Sequence, residues 1–250
     1  MNPSAIVQLT HSEATFTRLA DNFVAEIRRR MFVPEHADDD VEAEFAALRT
    51  TVDSHYPEFC ELFASALIGQ LGQERLEGML PGLGAASAQR YLEAAGQISL
   101  ELEQNLSRLT EKLVATAQAA LASPAGSPAP RSGHPRALTL AQSTGVHDGL
   151  NSLARAVTQQ VLIRGGKDAA DPMLMASSEA QRAQGVVLGS LVGFYARLFI
   201  KHVGEPHAAA VVEELEREPL RSYLRARTAM KPVLDRGLNE LAVRLARKVL

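Results

Sequence analysis

The feature that most constrains the fold is an internal repeat with a single register. Segments 62–113 and 194–245 align without gaps at an offset of 132 positions. An accidental match would lose its register over such a length, so the repeat predicts one helical unit present twice. The matched pairs include Ile68 with Ile200, Gly72 with Gly204, Leu83 with Leu215, Tyr91 with Tyr223, Leu92 with Leu224, Leu106 with Leu238, and Leu113 with Leu245.

Apolar spacing assigns the fold class. Phe16, Leu19, Phe23 and Ile27 recur at intervals of three and four, which places them on one face of a helix. Similar spacing runs through most of the chain, including one long helix that follows Gly84 and reaches about Ala122, and no segment alternates with a period of two. We therefore predict an all-α protein: a tandem duplication of a four- to five-helix unit, forming a helical bundle with pseudo-two-fold symmetry.

Composition divides the chain into two predicted units. Four prolines and several small residues mark a linker over 122–137, between helical repeat unit 1 (1–121) and helical repeat unit 2 (138–250). Residues 1–125 hold 9 basic and 18 acidic side chains, whereas residues 126–250 hold 17 basic and 11 acidic ones. Opposite charge favours docking of the two units, within one chain or between chains as a homo-oligomer.

The sequence offers little sign of a secreted or metal-binding protein. Cys60 is the lone cysteine, which excludes an internal disulfide and a pair of cysteine ligands for a metal. The first residues lack a basic segment followed by an apolar run, so we expect no signal peptide. A cytoplasmic protein without cofactor or metal is the prediction.

A row of glycines is the first candidate site. Gly185, Gly189 and Gly193 recur at every fourth position of an apolar helix, where each glycine costs about 1 kcal/mol relative to alanine. Close contact with another helix would compensate for that cost. A transmembrane segment is the alternative, but the apolar run is short and contains an arginine, so a central helix of a soluble bundle is favoured. A groove beside the glycines, Phe194 and Tyr195 is the candidate site for a lipophilic ligand.

A basic stripe near the C-terminal end is the second candidate site. Arg217, Arg221 and Arg225 follow a spacing of four, with Arg227 on their flank. A phosphate backbone, an anionic membrane surface or an acidic protein could bind there. The structural alternatives are a solvated face and docking on the acidic first unit. Neither half of the chain is basic enough to imply nucleic acid on charge alone, so we do not expect nucleic acid as the partner.

No catalytic constellation is visible in the sequence. We therefore predict a non-catalytic protein-interaction or regulatory module, whose contact surface is the basic final helix or the apolar loop 173–175. The alternative is a carrier or sensor of a lipophilic small molecule, bound between helices of the second unit. A helical enzyme is the least favoured interpretation. The predicted partner is another protein or a second copy of the chain. We expect no transmembrane segment in this chain, and peripheral contact with a membrane is left open.

Overall fold

Every regular element in the described part of the chain is a helix, which confirms the all-α prediction. The computed structural model describes residues 2–33, 38–123, 135–168, 171 and 173–249. The helices are α1 (Pro3–Leu9), α2 (Glu13–Arg30), α3 (Asp39–Asp53), α4 (Tyr56–Leu71), α5 (Gln73–Leu83), α6 (Ala86–Gln104), α7 (Leu106–Ala122), α8 (Pro135–Ser143), α9 (His147–Arg164), α10 (Ser178–Val203), α11 (Glu205–Leu215) and α12 (Leu220–Val249).

Contacts divide the chain into two compact units. The first contact unit consists of Met1–Gly96 and Glu218–Leu250, and the second consists of Gln97–Arg217. The sequence-based division into 1–121 and 138–250 follows the repeat instead. The helix α7 therefore belongs to the second contact unit and α12 to the first. The repeat boundaries stay a prediction, and most of the predicted linker, residues 124–134, lies outside the described residues.

The core of the first contact unit is built around α4, which packs against α1, α5 and α12. Its apolar residues repeat at helical spacing, and Phe59 and Phe63 are fully buried with ring centroids 6.0 Å apart. Phe16 of α2 meets Phe59 at 5.4 Å and Tyr56 at 5.2 Å. Burial, together with a hydrogen bond to Cys60, raises the pKa of Tyr56. This aromatic cluster joins the second helix to the core.

A very close approach joins α5 to the segment that precedes α12. A Cβ atom added to Gly82 would lie 2.5 Å from Cγ and 2.6 Å from Cδ of Pro219. Real Cβ atoms do not approach so closely, so a glycine is required at this point of the helix. Gly78, one turn earlier in α5, has open space where its Cβ would be.

The second contact unit is built around α10, which packs against α7, α8, α9 and α11. Arg182 of this helix caps α7, because its Nη2 donates to the carbonyl of Ala120 at 2.9 Å and to that of Ser123 at 2.7 Å. The helix begins at Ser178, and the residue before it is the N-cap. The hydroxyl of Ser177 accepts from the amide of Ala180 at 3.2 Å, as an N-cap residue does.

A carboxylate between two basic side chains joins α6 to α10 within this unit. The Oε2 atom of Glu101 lies 2.6 Å from Lys201 Nζ and 2.7 Å from His202 Nε2. Hydrogen bonds from Lys201 and then His202 lower the pKa of Glu101 below its usual value of 4.5. The negative charge of Glu101 is therefore favoured in the folded chain.

The long helix predicted from Gly84 to about Ala122 is interrupted at Asn105. The backbone leaves the regular helix at this residue, between the end of α6 and the start of α7. The Nδ2 atom of Asn105 donates to the carbonyl of Glu101 at 2.8 Å. Asparagine side chains that bond nearby carbonyls offer the backbone an alternative to the helix, and this favours a break.

Candidate interaction surface on α12

The helix α12 is held firmly along one side. Tyr223, Met230, Leu241 and Leu245 are all buried, and the helix packs against α4 and α5. Gly237 allows close packing, since a Cβ atom there would lie 2.9 Å from Cδ2 of Leu62. The apolar repeat at spacings of three and four thus places one face of α12 in the core and leaves the opposite face to solvent.

Polar contacts at both ends hold α12 in register. Near its start, Arg75 Nη2 donates to the hydroxyl of Ser222 at 3.0 Å. Near its end, Arg244 Nη2 donates to Glu58 Oε2 at 2.8 Å, and His55 Nδ1 lies 2.6 Å from the other oxygen of that carboxylate. The hydrogen bond with His55, followed by the charge of Arg244, lowers the pKa of Glu58.

The exposed face begins with arginines that have no acidic partner. Arg221 and Arg225 are exposed, and no ion pair joins either of them to another described residue. Arg227 lies at the margin of the buried face and is half-buried. Lys231, by contrast, forms an ion pair with Asp235 at 2.5 Å. The guanidinium groups of Arg221 and Arg225 are therefore available for an external anion.

Arg217 does not belong to this surface, so the predicted stripe of four arginines is wrong at its first member. The helix begins at Leu220, and Arg217 lies in the preceding turn and in the second contact unit. Its guanidinium lies 3.3 Å from Glu213 and 4.0 Å from Glu214. A spacing of four brings side chains onto one face only inside a continuous helix, and no helix joins 217 to 221.

Farther along α12, the exposed face carries an open groove of about 830 Å³, lined between Pro232 and Arg244. We call this stretch the α12 groove. Val243 contributes apolar surface and is 51% exposed. Arg236 also lines the groove and has no ion pair within the described part of the chain. The charged side chains that line the groove are balanced, with Arg236 and Arg244 against Asp235 and Glu240.

Two of the three glycines of α10, Gly185 and Gly193, do not form the close helix contact that their spacing predicts. Gly185 is exposed with no atom within 4 Å of its would-be Cβ, and Gly193 meets only Arg197 of its own helix, at 3.8 Å. Gly189 alone of the three is buried. Other positions of α10 form its packed face, so two of the glycines lie at the margin of that face.

Of the two aromatic residues predicted to line a lipophilic site, one is buried and one is partly exposed. Tyr195 is buried, whereas Phe194 is half-buried with the guanidinium of Arg197 5.8 Å from its ring centroid. Two open grooves are lined by other helices, one by α12 and one by α7 and α9. Ligand binding beside α10 stays a prediction.

The helix α10 also has the length and apolar composition to cross a membrane. Its most apolar window has a mean hydropathy of 1.5, and 44% of that window is buried inside the protein. Before this helix, Met173 is 67% exposed while Leu174 packs against Leu162 and Ala180. The apolar loop is thus partly tucked onto the second contact unit, with one methionine left outside.

Comparison with known proteins adds no assignment. No protein-family model, curated protein or solved structure matches the chain. The functional interpretation therefore depends on the surfaces described above.

Proposed function

We propose that the protein is a non-catalytic interaction module that binds an acidic protein partner through Arg221 and Arg225 of α12. One observation carries the proposal: these two guanidinium groups are exposed and unpaired in the described structure, on a helix whose opposite face is buried. Because the helix is held by its core face and by polar contacts at both ends, binding would require little ordering of the backbone.

The chemistry of this surface favours a protein over other anions. The whole chain carries a net charge of −3, so a long polyanion such as DNA gains attraction only locally. Tyr223, between Arg221 and Arg225, is buried and cannot stack on bases. The neighbouring exposed residues, Thr228 and Ala229, offer nothing large and apolar to enter a bilayer. A partner with a few localised carboxylates fits best.

Charge reversal tests the proposal. The variant R221E/R225E should lose binding to poly-L-glutamate, used as a model acidic polypeptide, by about tenfold or more, because two attractive contacts become repulsive. The melting temperature should stay unchanged, since both side chains are exposed. The matched control R90E/R155E reverses two exposed arginines on α6 and α9 and should bind like the wild type.

The same binding assay contains the results that would contradict the proposal. Wild-type protein should prefer poly-L-glutamate to duplex DNA and to phosphatidylserine vesicles, and added salt should weaken the interaction. Equal binding by the wild type and R221E/R225E would exclude this surface. If the wild type bound DNA or vesicles more tightly than poly-L-glutamate, the partner would be a nucleic acid or a membrane and not an acidic protein.

We further infer that the chain is a tandem duplication, as the sequence repeat predicts. The helices α5 and α11 support this inference, because each has 11 residues and their bounds differ by the repeat offset. Each follows a glycine with positive φ, Gly72 at 79° and Gly204 at 86°. The amides of these glycines donate to Ile68 and Ile200, at 2.7 and 2.9 Å. Pseudo-two-fold symmetry between the copies stays a prediction.

Turns near the start of each copy give independent support at an offset of 134. Thr10 and Thr144 end α1 and α8, and each hydroxyl donates back to a carbonyl four residues earlier, at 2.8 and 2.9 Å. The next residues, His11 and Gly145, both have positive φ. The same backbone turn therefore recurs in both copies, with histidine in one and glycine in the other at the position with positive φ.

A further inference from the structure

The last helix of the chain packs on a helix of the other repeat copy. In the first contact unit, α12 comes from helical repeat unit 2 and covers α4 of helical repeat unit 1. Gly237 of α12 lies against Leu62, because a Cβ atom there would be 2.9 Å from Cδ2 of that leucine. Arg244 Nη2 donates at 2.8 Å to Oε2 of Glu58, which lies one turn earlier in α4. The helices α12 and α4 therefore run antiparallel.

The second contact unit contains the opposite combination of copies. The helix α7 comes from helical repeat unit 1, and it packs against α10 of helical repeat unit 2. Near the end of α7, Ala120 packs with Ala183, and its carbonyl accepts from Arg182. Before the start of α7, Glu101 pairs with Lys201, near the end of α10. The chain from Glu101 to Ala120 therefore also runs antiparallel to its partner helix.

The sequence repeat makes these two pairs of helices equivalent. At the offset of 132, Leu245 of α12 matches Leu113 of α7, and Phe199 of α10 matches Leu67 of α4. All four side chains are buried. Each copy therefore has one docking helix and one last helix, and it contributes the two to different contact units. This equivalence rests on the proposed tandem duplication.

The two pairings share one register, which unrelated packing would not require. The numbers of facing residues in antiparallel helices add to a nearly constant value. They add to 299 and 302 for α12 on α4 (237 with 62, and 244 with 58). They add to 302 both for Glu101 with Lys201 and for Ala120 with Arg182. An exchange of equivalent helices moves one partner forward by 132 positions and the other back by 132, so it predicts equal values. Packing within one copy would change the value by 132.

We propose that the two repeat copies bind each other by exchanging their last helices. The apolar face of α4 is the docking site for α12, and the equivalent face of α10 is the docking site for α7. The covalent connection between the copies then contributes only an effective concentration, on the order of millimolar for a short linker. The exchange uses the core face of α12, so it is separate from the binding of an acidic partner to Arg221 and Arg225 on the exposed face.

Cutting the chain between its two copies tests the exchange. A protease site flanked by added glycine and serine residues, inserted between Gly126 and Ser127, allows the folded full-length protein to be cleaved. We expect the halves to stay together as a one-to-one complex at about 1 μM protein, because each contact unit is completed by a helix from the other half. The helix content should equal that of the uncut protein. Size-exclusion chromatography with light scattering measures the mass of the complex, and circular dichroism measures its helix content.

A pair of substitutions tests the contact of α12 with α4 in the cleaved complex. G237L overpacks against Leu62, so it should weaken association of the halves by about tenfold or more. In the L62A background the added side chain has space, and G237L should weaken association by less than about threefold. G69L is the matched control and should leave association unchanged, because Gly69 of α4 has nothing within 4 Å of its would-be Cβ. Dilution at a fixed urea concentration gives the dissociation constants, and melting of each uncut variant shows that it folds.

Two results would overturn the proposal. The first is separation of the cleaved wild-type halves at about 1 μM without denaturant, whether or not they stay folded, because exchanged helices hold them together. The second is an equal effect of G237L with and without L62A. That result is expected if α12 packs on α10 of its own copy, where position 237 would meet Phe194, the equivalent of Leu62.

Failure of the duplication would be visible in a different measurement. An experimental structure in which α4 and α5 do not superpose on α10 and α11 would refute the repeat, whatever the cleaved chain does. The cleavage experiment tests only which halves of the chain hold each other.

Discussion

Replacing Gly82 with alanine should destabilise the first contact unit, although alanine is the better helix former. The new Cβ would lie 2.5 Å from Pro219 Cγ, whereas ordinary contacts begin near 3.4 Å, so the atoms must separate by about 0.9 Å. The proline ring cannot rotate away as a long side chain can. The change must therefore move the backbone of α5 or of the segment that contains Pro219.

The expected size follows from two opposing terms. Overpacking costs about 1–3 kcal/mol, and the gain in helix propensity returns about 0.5–1 kcal/mol. We expect a net loss of about 1–2 kcal/mol in the free energy of unfolding. For a protein of this size, that corresponds to a melting temperature lower by about 2–8 °C.

Gly78 provides the matched control within the same helix. Open space surrounds its would-be Cβ, so G78A keeps the propensity gain without a clash and should raise the melting temperature by about 1–4 °C. Circular dichroism at 222 nm and urea titration measure both variants. If G82A matched G78A in sign and size, the close approach to Pro219 would not determine stability and the reasoning would be refuted.

Two further predictions concern the second contact unit. R182M should lose the cap on the carbonyls of Ala120 and Ser123 and lower the free energy of unfolding by about 1.5–3 kcal/mol in urea titration, and a wild-type midpoint would contradict the cap. E101Q should be less stable than wild type near neutral pH. Because Lys201 and a neighbouring imidazole keep the folded pKa of Glu101 below 4.5, the difference is full above that value and disappears as the pH falls through the folded pKa. A stability difference between E101Q and wild type that did not change with pH would contradict a role for the charge of Glu101.

Local sequence patterns predicted where most helices lie, but they did not predict which helices pack against each other. The spacing that marks Phe59 and Phe63 as buried is a property of one helix, so it can be read from the sequence. The packing of α12 against α4 depends on contacts between distant residues, which no local pattern contains. The break at Asn105 depends on whether one side chain turns back to a carbonyl, and helical spacing continues across it.

The candidate surfaces show the same limit. Arg221 and Arg225 were predicted as a basic face because both lie inside one helix, and that helix is present. Arg217 was grouped with them by spacing alone, although the helix begins after it. The left-handed backbone at Phe32 was overlooked, yet a signal exists in the sequence: at the offset of 134 this residue aligns with Gly166, which suits a left-handed turn.

The membership of the first contact unit has a consequence for synthesis. It combines residues 1–96 with 218–250, so the helix that covers α4 is made long after α4 itself. From Leu71 to Leu245 a ribosome must add 174 residues, which takes about 9–35 s at about 5–20 residues per second. During that interval the contiguous unit 97–217 can fold, while the apolar face of α4 that α12 will cover remains exposed. A nascent chain of this protein therefore needs protection from aggregation at α4 until α12 has been made.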